Sequence, residues 1–152
     1  MSASLTGGCL CAKIRYVLSA PDQLVYSVIC HCINCKKASG THMVNSSIFP
    51  KETFKLSSGS PKTFEDKDTD SGKPVYRHFC GDCGSPVFIT TPMVDSIVAV
   101  LSGTLDQGGE WWAPNKEQYI ETKSHWLPDF PVTSKEGVME RHQRGPLKEQ
   151  KY

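Results

Sequence analysis

The sequence predicts a mainly β fold on three observations. Short apolar or alternating segments recur along its 152 residues, turn-forming clusters separate them, and no long stretch carries helical periodicity. The expected strands, in chain order, are residues 12–18, 23–29, 43–49, 75–79, 85–90 and 96–102. In the first of these Ile14, Tyr16 and Leu18 alternate with Lys13 and Arg15, which is the period of a half-buried strand. The others are shorter apolar or mixed runs rich in Val, Ile, Phe and Tyr, residues that suit a pleated surface. Breaks fall at Ser57-Ser58-Gly59-Ser60-Pro61, Ser71-Gly72-Lys73-Pro74 and Gln107-Gly108-Gly109. The acidic run Glu65–Gly72 lacks calcium-loop spacing and reads as a surface hairpin tip. Residues 138–152 are charged and polar, with Gly145-Pro146 breaking any helix, and read as a mobile tail behind a single domain of residues 1–137.

Charge and hydropathy exclude several function classes. A formal net charge of +1 gives no field to draw in nucleic acid or anionic lipid. The tail residues Arg141, Arg144, Lys148 and Lys151 are offset in part by Glu140 and Glu149. No stretch reaches the roughly 20 apolar residues of a membrane span, and the first residues carry no basic segment followed by an apolar run. The expectation is a cytoplasmic protein with no nucleic-acid partner and no membrane partner.

In a reducing compartment the seven cysteines then read as metal ligands rather than disulfides. They fall in three clusters: Cys9-Leu10-Cys11, Cys30-His31-Cys32-Ile33-Asn34-Cys35, and Cys80-Gly81-Asp82-Cys83 followed by Gly84. Zinc takes four ligands in a tetrahedron, and paired cysteines on a tight turn supply two at little loop-closure cost. Seven thiolates divide most simply into a closed set of four and an open set of three, and an open position admits water or substrate. Spacing alone leaves the pairing open: Cys32 and Cys35 with Cys80 and Cys83 would form a zinc ribbon and leave Cys9, Cys11 and Cys30. His31, His42 or His78 would close the second set if one of them were a ligand, although each more commonly serves as an ordinary hydrogen-bonding histidine. His31, placed between two cysteines, could instead steer them without binding the ion. His125 and His142 have no ligand pattern around them.

Three motifs, read together, carry a resemblance: Gly7-Gly8-Cys9-Leu10-Cys11; Cys30 to Cys35 with Lys36-Lys37-Ala38-Ser39-Gly40; and Phe79-Cys80-Gly81-Asp82-Cys83-Gly84-Ser85-Pro86. In this order, and with a closing segment from Tyr119 to Phe130, the chain resembles the glutathione-dependent formaldehyde-activating enzyme family, also called the centromere protein V-like family. The resemblance implies an Mss4-like, zinc-stabilised β fold with two zinc ions per chain. Cys9, Cys11, Cys80 and Cys83 match the structural zinc ligands, and Cys30, Cys32 and Cys35 match the catalytic ones. It implies a carbon–sulfur lyase of the S-(hydroxymethyl)glutathione synthase type, with glutathione as the small-molecule partner. Charge agrees: a divalent ion with three thiolates is poor at polarising a carbonyl and suited to holding a further sulfur as thiolate.

Around that site, Lys36 and Lys37 are candidates to attract an anionic thiol, and Trp111, Trp112 and Trp126 to line a pocket, with a solvated face and ordinary packing as the competing expectations. Ser39 and Thr41 are expected in a turn. The stretch Thr41 to Ser47 is more polar than the family's pattern, which opens the pocket to another thiol or electrophile and makes His42 a candidate general acid or base. A zinc-stabilised protein-binding module or thiol carrier, without catalysis, is the alternative.

Overall fold

Alternation in the sequence becomes alternation in burial: in the strand carrying Tyr16 and Leu18 both side chains are fully buried, while their neighbours Arg15 and Val17 are only partly covered. The computed structural model describes residues 3–107, 113–130 and 140–142. Its strands are β1 (Leu5–Gly8), β2 (Arg15–Leu18), β3 (Tyr26–Cys30), β4 (Val44–Pro50), β5 (Phe54–Ser58), β6 (Lys62–Asp66), β7 (Val75–Phe79), β8 (Pro86–Thr90), β9 (Ile97–Leu101), β10 (Lys116–Gln118) and β11 (Glu140–His142), with one α-helix, α1 (Ile33–Ser39), among the described residues. The mainly β expectation holds, and each of the six anticipated strands is present with ends moved by up to three residues.

Two sheets result. One has the order β1-β2-β5, and the other runs β11-β10-β3-β4-β9-β8-β7-β6. Pairing is antiparallel except that β10 runs parallel to both β3 and β11. The strand β11 thus gives part of the anticipated tail a sheet pairing. Tyr16, Leu18, Phe49, Val87, Val98 and Val100 form the centre of the core with almost no exposure. The Phe54 ring bridges the two sheets, 5.2 Å from Tyr16 and 4.7 Å from Phe88.

Gly7 is required by the close approach of β2. It sits opposite Tyr16, and a Cβ there would lie 2.2 Å from the Tyr16 hydroxyl and 2.5 Å from the Thr104 carbonyl oxygen. Gly7→Ala is therefore expected to cost about 1–3 kcal/mol, as overpacking does, and to lower the urea midpoint without changing its slope. An unchanged midpoint would show that Tyr16 can withdraw.

The helix α1 was not legible as a periodic segment because it is only seven residues long. Its ends are well defined all the same. The Cys32 side chain accepts the Cys35 N–H as N-cap, and Gly40, at φ 68°, closes the C-terminus with its N–H on the Lys36 carbonyl. Residues 67–72 of the acidic run form the tip between β6 and β7, whereas Glu65 and Asp66 belong to β6. Asp66 is not a solvated tip residue: it is 7 % exposed and ion-paired. Trp111 and Trp112 lie outside the described residues.

Candidate metal centres

The two halves of the first cluster come from two hairpins. Cys9 and Cys11 occupy the β1–β2 turn, and Cys80 and Cys83 the β7–β8 turn, so the cluster joins the smaller sheet to the larger. All four Sγ atoms lie within 4.8 Å of one another, which is the span of ligands around one tetrahedral ion. Backbone bonds shape both turns: Cys9 N–H to the Ile14 carbonyl (3.1 Å), Gly84 N–H to the Cys80 carbonyl (2.9 Å) and Cys80 N–H to the Ser85 carbonyl (2.9 Å). Gly84 takes φ 74°, a left-handed backbone that glycine adopts without penalty. Donors already face the sulfurs. Ile14 N–H points at Cys9 Sγ (3.2 Å), and the Ser85 hydroxyl lies 3.2 Å from Cys83 Sγ. Hydrogen bonding by the Ser85 side chain, then by its backbone, lowers the Cys83 thiol to about 5.

The second cluster is built by one strand end and one helix start. Cys30 closes β3, Cys32 caps α1 and Cys35 lies in its first turn, with the three Sγ atoms again within 4.8 Å. Mutual hydrogen bonding splits these thiols. Bonds from Cys30 and Cys32 hold Cys35 well below the ordinary thiol value, with Arg77 adding to the effect, while bonding to Cys32 and Cys35 pushes Cys30 far up.

Around this cluster runs a network that sequence reasoning missed. Arg77 Nη1 reaches Cys35 Sγ at 3.7 Å, and its Nε and Nη2 hold Asp66 Oδ2 at 3.1 and 2.9 Å. Asn34 donates to both Asp66 oxygens and to the Asp68 carbonyl (2.8 Å). On the opposite side His31 is fully buried, its Nε2 2.7 Å from Glu117 Oε1, which Lys123 Nζ also meets at 3.1 Å. Among the described residues His31 Nδ1 has no hydrogen-bond partner. No histidine among the described residues joins the thiol clusters.

The other candidates are placed as follows. His78 bonds Thr63 and Thr90 through its two ring nitrogens and stacks on Phe88 at 4.2 Å. His42 is exposed, bonded to Ser124 (2.9 Å) and set edge-on to the Trp126 ring at 4.8 Å; it does not line the cleft at the cluster. Lys36 donates to the Thr122 carbonyl (2.7 Å), and Ser39 and Thr41 bond one another in the turn after α1. His125 is exposed.

Beside Cys30, Cys32 and Cys35 opens a cleft of ≈ 210 Å³ lined also by Gln118, Tyr119 and Thr122. Tyr119 holds φ 58°, a left-handed backbone uncommon for a residue with a bulky side chain and often associated with function. Burial, then Asp70, pushes its phenol upward.

A mainly β chain with one complete four-thiol cluster and one three-thiol cluster at a cleft defines a class of cysteine-rich proteins able to hold two metal ions. Residues 4–122 match the model of the family described as glutathione-dependent formaldehyde-activating enzyme, and the chain belongs to that family. Its fold is similar to that of a Rhodobacter sphaeroides protein solved by crystallography, with TM-score 0.52 and 12 % identity over 68 % of this chain and 90 % of the other. Membership supports a glutathione-related role. No helix among the described residues is long and apolar enough to cross a membrane.

Proposed function

We propose that this protein is a zinc-dependent carbon–sulfur lyase-type enzyme that adds glutathione, or another small thiol, to formaldehyde or a related small electrophile, and reverses that addition. The observation that carries the reading is the inequality of the two clusters: four thiols gather from two hairpins, and three thiols line a cleft. Zinc held by Cys30, Cys32 and Cys35 would supply an open position that keeps a substrate sulfur deprotonated at neutral pH.

The chain's own groups do the rest. Arg77, fixed by Asp66 and Asn34, places a permanent positive charge beside Cys35 and offsets the excess charge of a three-thiolate site. His31, Glu117 and Lys123 brace the turn that carries Cys30 and Cys32. In the forward direction the sulfur lone pair forms a C–S bond, the carbonyl π pair moves to oxygen, and the thiol's proton ends on that oxygen, with no net redox change. Tyr119, which lines the cleft with Cys30 and Cys32, is the donor we assign to the developing alkoxide in preference to the exposed His42.

Cys32→Ser tests the reading. Adduct formation, followed by loss of free aldehyde, should fall by at least about a hundredfold, more than removal of a residue that merely orients a ligand. The thermal midpoint should stay within a few degrees of the parent's. Retained turnover in the folded variant contradicts the assignment.

A further inference from the structure

The cluster opens on two sides of unequal size and character. Beyond Cys35, and sharing Ile33, Asn34, Arg77 and Ile89 with the smaller cleft, lies a second chamber of ≈ 610 Å³ between α1 and strands β6 to β9. Val44, Phe64, Phe79, Phe88 and Leu101 contribute to its walls. At its edge Phe64 is 59 % exposed, a large apolar side chain of the kind that marks a binding surface when it borders an apolar cavity. A one-carbon aldehyde fills a small part of such a volume, which lies in the range that holds ligands of drug size, about 300–1,000 Å³.

The polar tripeptide is a poor occupant of this side. The greater part of the chamber's lining surface is apolar, which gives the charged tripeptide little to bind. The smaller cleft, with Gln118, Tyr119 and Thr122, offers hydrogen-bonding groups for a polar thiol.

We infer that the electrophile taken by this site carries an apolar body, an aryl or medium-chain alkyl group, seated in the larger chamber while the thiol enters from the smaller cleft, so that the two meet at Cys35. The inference rests on the thiol–carbonyl reading above and narrows its substrate class. Bond changes are those already given: one C–S bond forms, the carbonyl pair moves to oxygen and the thiol's proton follows it.

Stable S-alkylglutathiones mimic the adduct, with the alkyl group standing for the body of the electrophile. Calorimetric titration of the zinc-loaded full chain with S-methyl-, S-butyl- and S-hexylglutathione should show affinity rising about fourfold per added methylene for as long as the chain stays buried. Ala38, exposed on α1 and facing the chamber, gives a second reading: in Ala38→Trp the ratio of S-hexyl to S-methyl affinity should collapse towards one. The series on the parent chain decides the matter even if that variant does not fold. Equal affinity across the series overturns the apolar assignment alone, whereas no binding of any member, with both zinc ions present, overturns the glutathione reading as well. Sedimentation showing a dimer that Phe64→Glu dissolves would mean that a second copy of the chain fills the chamber, and would also overturn it.

Discussion

Cys80→Ser is expected to abolish cooperative thermal unfolding. Cys80 is fully buried in the β7–β8 turn, with its sulfur 3.7 Å from Cys11 in the β1–β2 turn, so a zinc ion held there would bolt the two sheets together. A structural zinc in small domains contributes an apparent binding energy of about 10–16 kcal/mol. Net stability of a domain is about 5–15 kcal/mol, so much of the fold's stability is at stake in this one cluster. The surface ion pair that also links the two turns, Lys13 to Asp82, cannot compensate, since both side chains are more than half exposed. Chelation of the parent should reproduce the effect. A circular-dichroism melt of Cys80→Ser that remains cooperative within about 5 °C of the parent would show that packing alone holds the hairpins.

The second large effect is expected at Glu117. Its carboxylate is fully buried in β10 and receives His31 and Lys123, itself only 14 % exposed. Glu117→Ala leaves the largely covered Lys123 with the exposed Asp129, 3.5 Å away, as its ion-pair partner, and should cost about 3 kcal/mol, the lower end for breaking one half of a buried pair. For a chain of this size that is a fall of roughly 10 °C in midpoint. The pH dependence follows from the direction of the shift. Burial pushes the carboxyl upward, but hydrogen bonds from His31 and Lys123 outweigh it and hold the group below its ordinary 4.5. A group with a depressed folded-state value contributes stability above its unfolded value and loses it as pH falls through the folded one. Glu117→Gln, which imitates the protonated form, should therefore trail the parent at pH 7 and approach it as the pH falls below the unfolded value and through the lower folded one. A gap that persists unchanged into acid would assign the loss to shape rather than charge.

These two sites differ in how much of them could be read beforehand. The cysteine clusters were legible because chelation imposes short spacings, although the residues alone permitted a ribbon of Cys32, Cys35, Cys80 and Cys83. Grouping Cys9 and Cys11 with Cys80 and Cys83 needed the family resemblance, because the contact spans 69 residues from Cys11 to Cys80. The Glu117 pair with His31 spans 86 residues and has no local signature. Asp66 was hidden by composition, since it lies in an acidic run that is mostly exposed, and it is held by Arg77 from β7 and Asn34 from α1.

The strands show the same division. Residues 97–101 announced β9 by continuous apolar character, whereas β6, Lys-Thr-Phe-Glu-Asp, is polar and lies at the sheet's edge, pairing among the described residues with β7 alone. Tyr119 was beyond local reasoning altogether: bulky aromatics avoid the left-handed backbone, and only the surrounding fold holds it there.

The central claim is that one thiol cluster is closed and structural and the other open and reactive. Native mass spectrometry of protein purified without chelator, titrated with glutathione, tests it most directly. Two zinc ions per chain are expected, one displaced or loosened by glutathione and absent from folded Cys32→Ser, the other retained until the chain unfolds. A single zinc that ignores thiols, with no second ion taken up on reloading, would contradict it.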